Sequence, residues 1–152
     1  MSERLNLGDV VAEGDASDPP GYQTRAKRIG PLIGAERLGA SIYELPPGQS
    51  ICPYHYHHGV EEWAYVVEGA PVLRTPDGER ALKQGDIVCF PAGPGGAHAF
   101  HGPGRVLIIS ANALPSIAVY PDSDKVGPRA GRGDPDTIDF RRQDAVEYWE
   151  GE

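Results

Sequence analysis

The sequence predicts an all-β domain, a barrel or double-sheet jelly roll, and three observations predict it. Short apolar stretches with strand-like alternation recur about ten times before residue 121. The 20 glycines and 15 prolines punctuate those stretches instead of clustering. No stretch among them carries a convincing helical period. Antiparallel strands at this spacing remove their edges by closing on themselves, which is why a barrel or a doubled sheet is expected. A chain of 152 residues is one ordinary domain, long enough to bury roughly 70% of its unfolded surface without disulfides.

The elements follow in order. Residues 1–21 are polar and acidic, end in Asp18-Pro19-Pro20-Gly21 and hold no period, so they are expected as an arm over the surface. A first strand is expected over 22–29. A better one covers 37–45, with Leu38, Ala40 and Ile42 on one face and Ser41 and Tyr43 on the other, and Pro46-Pro47-Gly48 ends it. Residues 51–57 make the next strand, and 62–67 is expected to pair behind it as a hairpin. Strands at 72–75 and 79–82 flank Pro76-Asp77-Gly78, a hairpin signal. Further strands are expected over 86–90, 97–101, 105–110 and 117–120.

After Tyr120 the composition turns polar and turn-rich, as in PDSDKVGPRAGRGDPD, which reads as an extended strap. Asp144 stands three residues before Glu147 in a capping-box pattern, and Gly151 follows. A short helix over 145–150 is therefore expected, with Val146 and Trp149 packed on the barrel or on a partner subunit. The organisation expected is an arm (1–21), a barrel (22–120) and a C-terminal strap with a short helix (121–152).

Charge and composition narrow the partners. The net charge is −8, with acids scattered and no basic block, which disfavours nucleic acid and anionic membrane surfaces and leaves small molecules. No long apolar run and no export-like start occur, so a cytoplasmic protein is expected. Cys52 and Cys89 lie in apolar strand sequence and are expected to be buried thiols without a role.

The chemistry concentrates in two segments. In GQSICPYHYHHGVEEWAYVVEG, His55 and His57 are two apart on a strand and can reach one point in space. Glu62 opens the following strand and brings a carboxylate back to them. In GDIVCFPAGPGGAHAFHG, the turn Pro91-Ala92-Gly93 leads on to His98. Three imidazoles and one carboxylate make a mixed nitrogen and oxygen site suited to Fe, Mn, Co, Ni, Zn or Cu(II), and poor for Ca. The absence of a thiolate argues against a structural zinc knot. His58 and His101 are rivals for ligation, but alternation turns them away from the point, behind the ligands or to the rim, and Glu61 is set aside for solvent or the rim because only Glu62 leaves six residues before Gly69. Phe100 shares a face with His98 and is a pocket candidate, whereas Tyr54 and Tyr56 are expected to seal the mouth.

These two segments resemble the paired motifs of the cupin superfamily. Gly48, His55, His57, Glu62 and Gly69 stand at the places of the first motif, and Gly85, Pro91, Gly93 and His98 at those of the second. Three departures are present: one extra residue between Gly48 and His55, a gap of four residues before His98, and Gly102 where the family often has Asn. YPDSDKVG at 120–127 resembles a subgroup of small single-domain members. The resemblance implies a double-stranded β-helix, or jelly-roll barrel, holding a divalent transition metal (Fe, Mn, Zn, Ni or Co) on His55, His57, Glu62 and His98. It further implies a small oxygen-bearing substrate and a homodimer. Oxygenase, isomerase and decarboxylase activities all occur on such barrels; oxygenase chemistry ranks slightly ahead here, with Glu62 also a proton acceptor. A non-catalytic binding module is the alternative.

Overall fold

In the computed structural model, residues 4–111, 113–131 and 134–152 are described; the first three residues of the expected arm and residues 132–133 of the expected strap lie outside that set. Among the described residues, thirteen strands carry the fold: β1 (Glu13–Gly14), β2 (Arg25–Arg28), β3 (Leu38–Leu45), β4 (Tyr56–His58), β5 (Glu62–Gly69), β6 (Val72–Thr75), β7 (Gly78–Ala81), β8 (Ile87–Phe90), β9 (Ala99–His101), β10 (Gly104–Ala111), β11 (Ser116–Tyr120), β12 (Lys125–Arg129) and β13 (Phe140–Arg141). They form three sheets, in the orders β1-β2-β3-β10-β5-β8, β13-β12-β11-β4 and β7-β6-β9, with every pairing antiparallel. Bridges between Ser50 and His101 and between His55 and His98 join the segment leading into β4 to β9 and the residue before it. The architecture is the expected all-β jelly roll.

Two apolar clusters hold the layers. Leu45, Ala64, Val66, Leu73, Leu82, Phe90, Phe100 and Val106 fill the space between the sheets. Val10, Ile29 and Ile42 form the second cluster, covered by Leu5 and Leu7. Strand β3 serves both: Ile42 packs beneath the N-terminal segment, while Tyr43, one residue on, faces the barrel. The N-terminal segment is thus more than an arm on the surface. It buries Val10 and Ala12 and pairs Glu13 with Ala26.

Phe100 is 1% exposed and belongs to the core. Its ring meets those of Phe90 and His98 edge-on at 5.9 and 6.1 Å, so it supports the site from below instead of lining a pocket. Phe100→Ala is expected to cost about 3–5 kcal/mol of unfolding free energy, the range for emptying a buried aromatic site, read from urea denaturation.

Four sequence expectations are corrected. Residues 51–54 are bends rather than strand, and only Tyr56–His58 is extended; Pro53 lacks the N–H a ladder would use. Strands β4 and β5 do not form a hairpin: β4 pairs with β11 and β5 with β10 and β8, so the chain crosses from one sheet to the other between His58 and Glu62. Strand β12 pairs with β11 over its whole length, although Gly127 and Pro128 hide its strand pattern. No helix covers 145–150; the segment makes turns after a 3-10 turn at Arg142–Asp144, leaving Val146 68% and Trp149 76% exposed. Six residues form too few hydrogen bonds to nucleate a helix without packing, and neither apolar side chain finds it.

Cys89 is also not buried, because Val88 and Phe90 take the inner face of β8. Cys52 lies against His55, Sγ to Nδ1 3.5 Å. Burial first, and then the Glu62 carboxylate, push its thiol up to about 12. It stays protonated.

Candidate metal centre

The two halves of the site are joined by backbone before any side chain is considered. His55 N–H donates to the His98 carbonyl (3.1 Å) and His98 N–H to the His55 carbonyl (2.9 Å). Gly93 N–H donates to the His57 carbonyl at 2.7 Å, which fixes the Pro91-Ala92-Gly93 turn beside β4. The two residues that lengthen the gap before His98 are taken up by a 3-10 turn, Pro94–Gly96. Gly102 occupies the place where the family often has Asn, and here a Cβ would collide with the Pro46 and Leu45 carbonyls. The close crossing of chain at that point requires glycine.

All four sequence-predicted ligands turn toward one region. His57 Nε2 and His98 Nε2 lie 3.7 and 3.6 Å from Glu62 Oε2. Ligand atoms of His55, Glu62 and His98 all fall within 4.8 Å of one another, and the His55 ring centroid is 4.9 Å from that of His57. Donors about 2.1 Å from one ion stand roughly 3.0–3.4 Å apart when adjacent, so the separations to Glu62 need only a small contraction. His57 is the outer member, reaching the cluster through Glu62.

The ring tautomers suit a metal. Nδ1 of His55 faces the Pro53 carbonyl at 3.0 Å and Nδ1 of His98 faces the Gly96 carbonyl at 2.9 Å. Each carbonyl holds the proton on Nδ1 and leaves the Nε2 lone pair for the centre, the usual outer-shell arrangement of ligating histidines. Phe90 stacks on His98 with ring centroids 3.8 Å apart and fixes the ring plane. Nδ1 of His57 is buried and has no partner among the described residues.

Burial sets the charge states. Desolvation, then His55 and neighbouring charges, lower His57 and His98 to about 4, and burial likewise lowers His55. Neutral imidazoles are the form that ligates. Burial raises Glu62 to about 7, so its carboxylate is poorly stabilised until a cation meets it. The donor set, its tautomers and its unmet need for positive charge therefore fit a divalent transition metal.

The rivals stand where alternation put them. His58 is exposed and packs edge-on against Tyr56, His101 Nδ1 is 2.7 Å from Ser50 Oγ, and Glu61 is exposed and accepts a bond from Trp63 Nε1 at 3.2 Å. Tyr54 lies under Arg74, 4.0 Å from guanidinium carbon to ring centroid.

Sequence reasoning missed two groups. Tyr120 stacks near His55 at 5.9 Å and accepts a bond from Arg129 Nη2 at 2.8 Å; the same nitrogen is paired with Asp139. Arg129 and Asp139 lie in the segment read as a strap, where no strand signal was visible, whereas Tyr120 ends the expected strand 117–120 and was given no role there. A cavity of about 190 Å³ beside Glu62 is lined by Arg28, Gly39, Ser41, Tyr43, Ile108 and Ser110, among others. Alternation had set Ser41 and Tyr43 on one face, which was the available signal.

The jelly-roll barrel and the cluster of His55, Glu62 and His98, with His57 beside it, agree with the resemblance of the sequence to the cupin superfamily. Residues 41–111 match the family model described as a cupin domain. The fold is shared with a sugar phosphate isomerase of the cupin superfamily from Silicibacter pomeroyi (24% identity, TM-score 0.76, covering 93% of this chain and 94% of that one). It is also shared with a protein of Acidithiobacillus ferrooxidans described as a candidate sugar phosphate isomerase (24% identity, TM-score 0.80, 95% of each chain). The polyketide cyclase RemF from Streptomyces resistomycificus is 29% identical, with a TM-score of 0.61, over 76% of this chain and 84% of that one. No curated protein matches the sequence. No helix among the described residues is long and apolar enough to cross a membrane.

Proposed function

We propose that this protein is a metal-dependent enzyme acting on a small oxygen-bearing molecule, with His55, His57, Glu62 and His98 holding the ion. The observation that carries the reading is the convergence of Nε2 atoms on Glu62 Oε2, 3.6–3.7 Å away for His57 and His98, beside a cavity that Glu62 itself lines. Bound there, a divalent ion would supply Lewis acidity or, for Fe and Mn, redox chemistry. Nδ1–H bonds to the Pro53 and Gly96 carbonyls orient His55 and His98, and Phe90 and Phe100 keep water from the inner side of the site. Glu62 is placed to take a proton from a molecule in the cavity.

Two reaction classes divide this proposal. Oxygenase chemistry is the reading put first from sequence. Proton transfer of the isomerase or cyclase type is favoured by a separate observation: among the four proposed ligands only Glu62 lines the cavity, so the group nearest the substrate is a carboxylate. The likeness to a polyketide cyclase at 29% identity supports the same class. Protein loaded with Fe(II) or Mn(II) is to be screened with hydroxy acids, keto acids and sugar phosphates in an oxygen-electrode cell and under argon. Turnover that continues under argon supports proton transfer, oxygen uptake coupled to substrate loss supports an oxygenase, and saturable binding without turnover supports a binding module.

A homodimer and a small-molecule partner remain part of the proposal. The outer face of the large sheet leaves Leu38, Trp63, Tyr65 and Ile87 exposed, a surface suited to a second copy.

A further inference from the structure

The large sheet changes character along its inner face. Strand register places Arg28, Ser41, Ile108, Ala64 and Val88 in one row across β2, β3, β10, β5 and β8. The adjoining row runs Gly39, Ser110, Glu62 and Phe90. Opposed residues of an antiparallel pair project on the same side, so Arg28 and Glu62 belong to one concave surface. Toward β5 and β8 that surface is apolar. Toward β3 and the end of β10 it becomes Gly39, Ser41 and Ser110, which are small or hydroxylated, and the space they leave is the cavity of about 190 Å³. Gly39 belongs to the same design, since a Cβ there would meet Ser110 Oγ at 2.6 Å.

One end of this cavity is Glu62. The other is Arg28, the sole cation of the lining. None of the ion pairs among the described residues uses the Arg28 guanidinium, whereas Lys27, Arg74, Arg105, Arg129 and Arg142 are all paired. Tyr43 lies between the two ends and feels the charge of both Arg28 and Glu62, and burial keeps its phenol protonated as a donor. A chain of net charge −8 repels anions in general, so an exposed cation at the edge of a cavity is a selective feature. A guanidinium fork with hydroxyl donors beside it matches a carboxylate or phosphate head.

We propose that Arg28 anchors the oxyanion head of the substrate, a small hydroxy- or oxo-acid or a phosphate ester whose opposite, oxygen-bearing end is turned to Glu62. The orientation at the Glu62 end rests on the metal reading above; the Arg28 end does not. At about 190 Å³ the cavity is smaller than the 300–1,000 Å³ of drug-sized sites, which restricts the ligand to a compact molecule.

The test is calorimetric titration of metal-free and metal-loaded protein with inorganic phosphate, glycolate and the neutral glycolamide, for wild type, Arg28→Gln and Arg28→Lys. Arg28 is exposed at the end of its strand, so neither variant should disturb the fold. Arg28→Gln is expected to weaken the bound anion about tenfold or more, with Arg28→Lys between, while metal content and glycolamide binding stay unchanged. Whether phosphate or glycolate binds more tightly identifies the head group. Equal anion affinity in Arg28→Gln and wild type, or no anion binding by wild type in either state, overturns the proposal. A wild-type protein that takes up no metal sinks the metal reading instead, and the Arg28 comparison is then read on the metal-free protein.

Discussion

Replacing His98 by alanine is expected to lower metal affinity by ~100-fold or more, measured by competition against a chelating dye. Loss of an outer-shell partner alone costs 10–100-fold in such sites, and removal of a ligand exceeds that. His98 is 2% exposed, held at Nδ1 by the Gly96 carbonyl and stacked on Phe90, so its ring is a preorganised ligand. His55→Ala should behave alike, because its Nδ1 is held in the same way by Pro53. His57→Ala should cost less. Its Nδ1 has no partner among the described residues, and a ring not held from behind is a less preorganised ligand. His58→Ala and His101→Ala should leave the affinity unchanged, since one ring is exposed and the other is engaged by Ser50. Wild-type metal stoichiometry in His98→Ala would reject the assignment.

The parts of this molecule that were legible in sequence are those set by chemistry and by local geometry. His55 and His57 share a face because residues two apart on an extended chain must do so, and that rule survives even though only Tyr56–His58 is a strand. Glu62, marked by its distance from Gly69, opens β5 as read. The route between them was not legible. Short loops favour a hairpin, and nothing in Gly59-Val60-Glu61 says that the chain changes sheets, because that choice is made by β10 and β11 taking the partner positions. The same holds for β12, whose pattern is broken by Gly127 and Pro128 and which exists because β11 offers it a free edge. Arg28 escaped notice for a related reason. Its place in the cavity depends on register with Ser41 and, through β10, with Ala64 in the row next to Glu62, and register is a property of the assembled sheet.

The metal-free protein is expected to lose stability on acidification, by ~3 kcal/mol between pH 7 and pH 4, and the balance of opposing charges sets that figure. His57 and His98 are lowered from 6.5 to about 4 in the fold, so their contribution is complete above pH 6.5 and is lost as pH falls toward 4. At about 1.4 kcal/mol per pH unit, each withdraws ~3 kcal/mol. Glu62 acts in the opposite direction: raised from 4.5 to about 7, its contribution is complete below pH 4.5 and is lost as pH rises through 7. Acidification therefore returns ~3 kcal/mol through Glu62 while the two imidazoles remove about twice that. In Glu62→Gln the compensating gain disappears. This variant should be the more stable protein at pH 8, where the wild type holds a buried carboxylate without its cation, and its loss on acidification should be about twice as steep. Metal inverts the comparison, because it binds deprotonated imidazoles and carboxylate: wild type should gain stability with added metal, increasingly as pH rises, and Glu62→Gln should gain much less. Urea midpoints of chelator-treated protein at half-unit steps from pH 4 to 8, with and without added Mn(II), read both effects. A profile for Glu62→Gln that overlays the wild type in the metal-free series would mean that the carboxylate is solvated, and that the three imidazoles and Glu62 do not form one buried cluster.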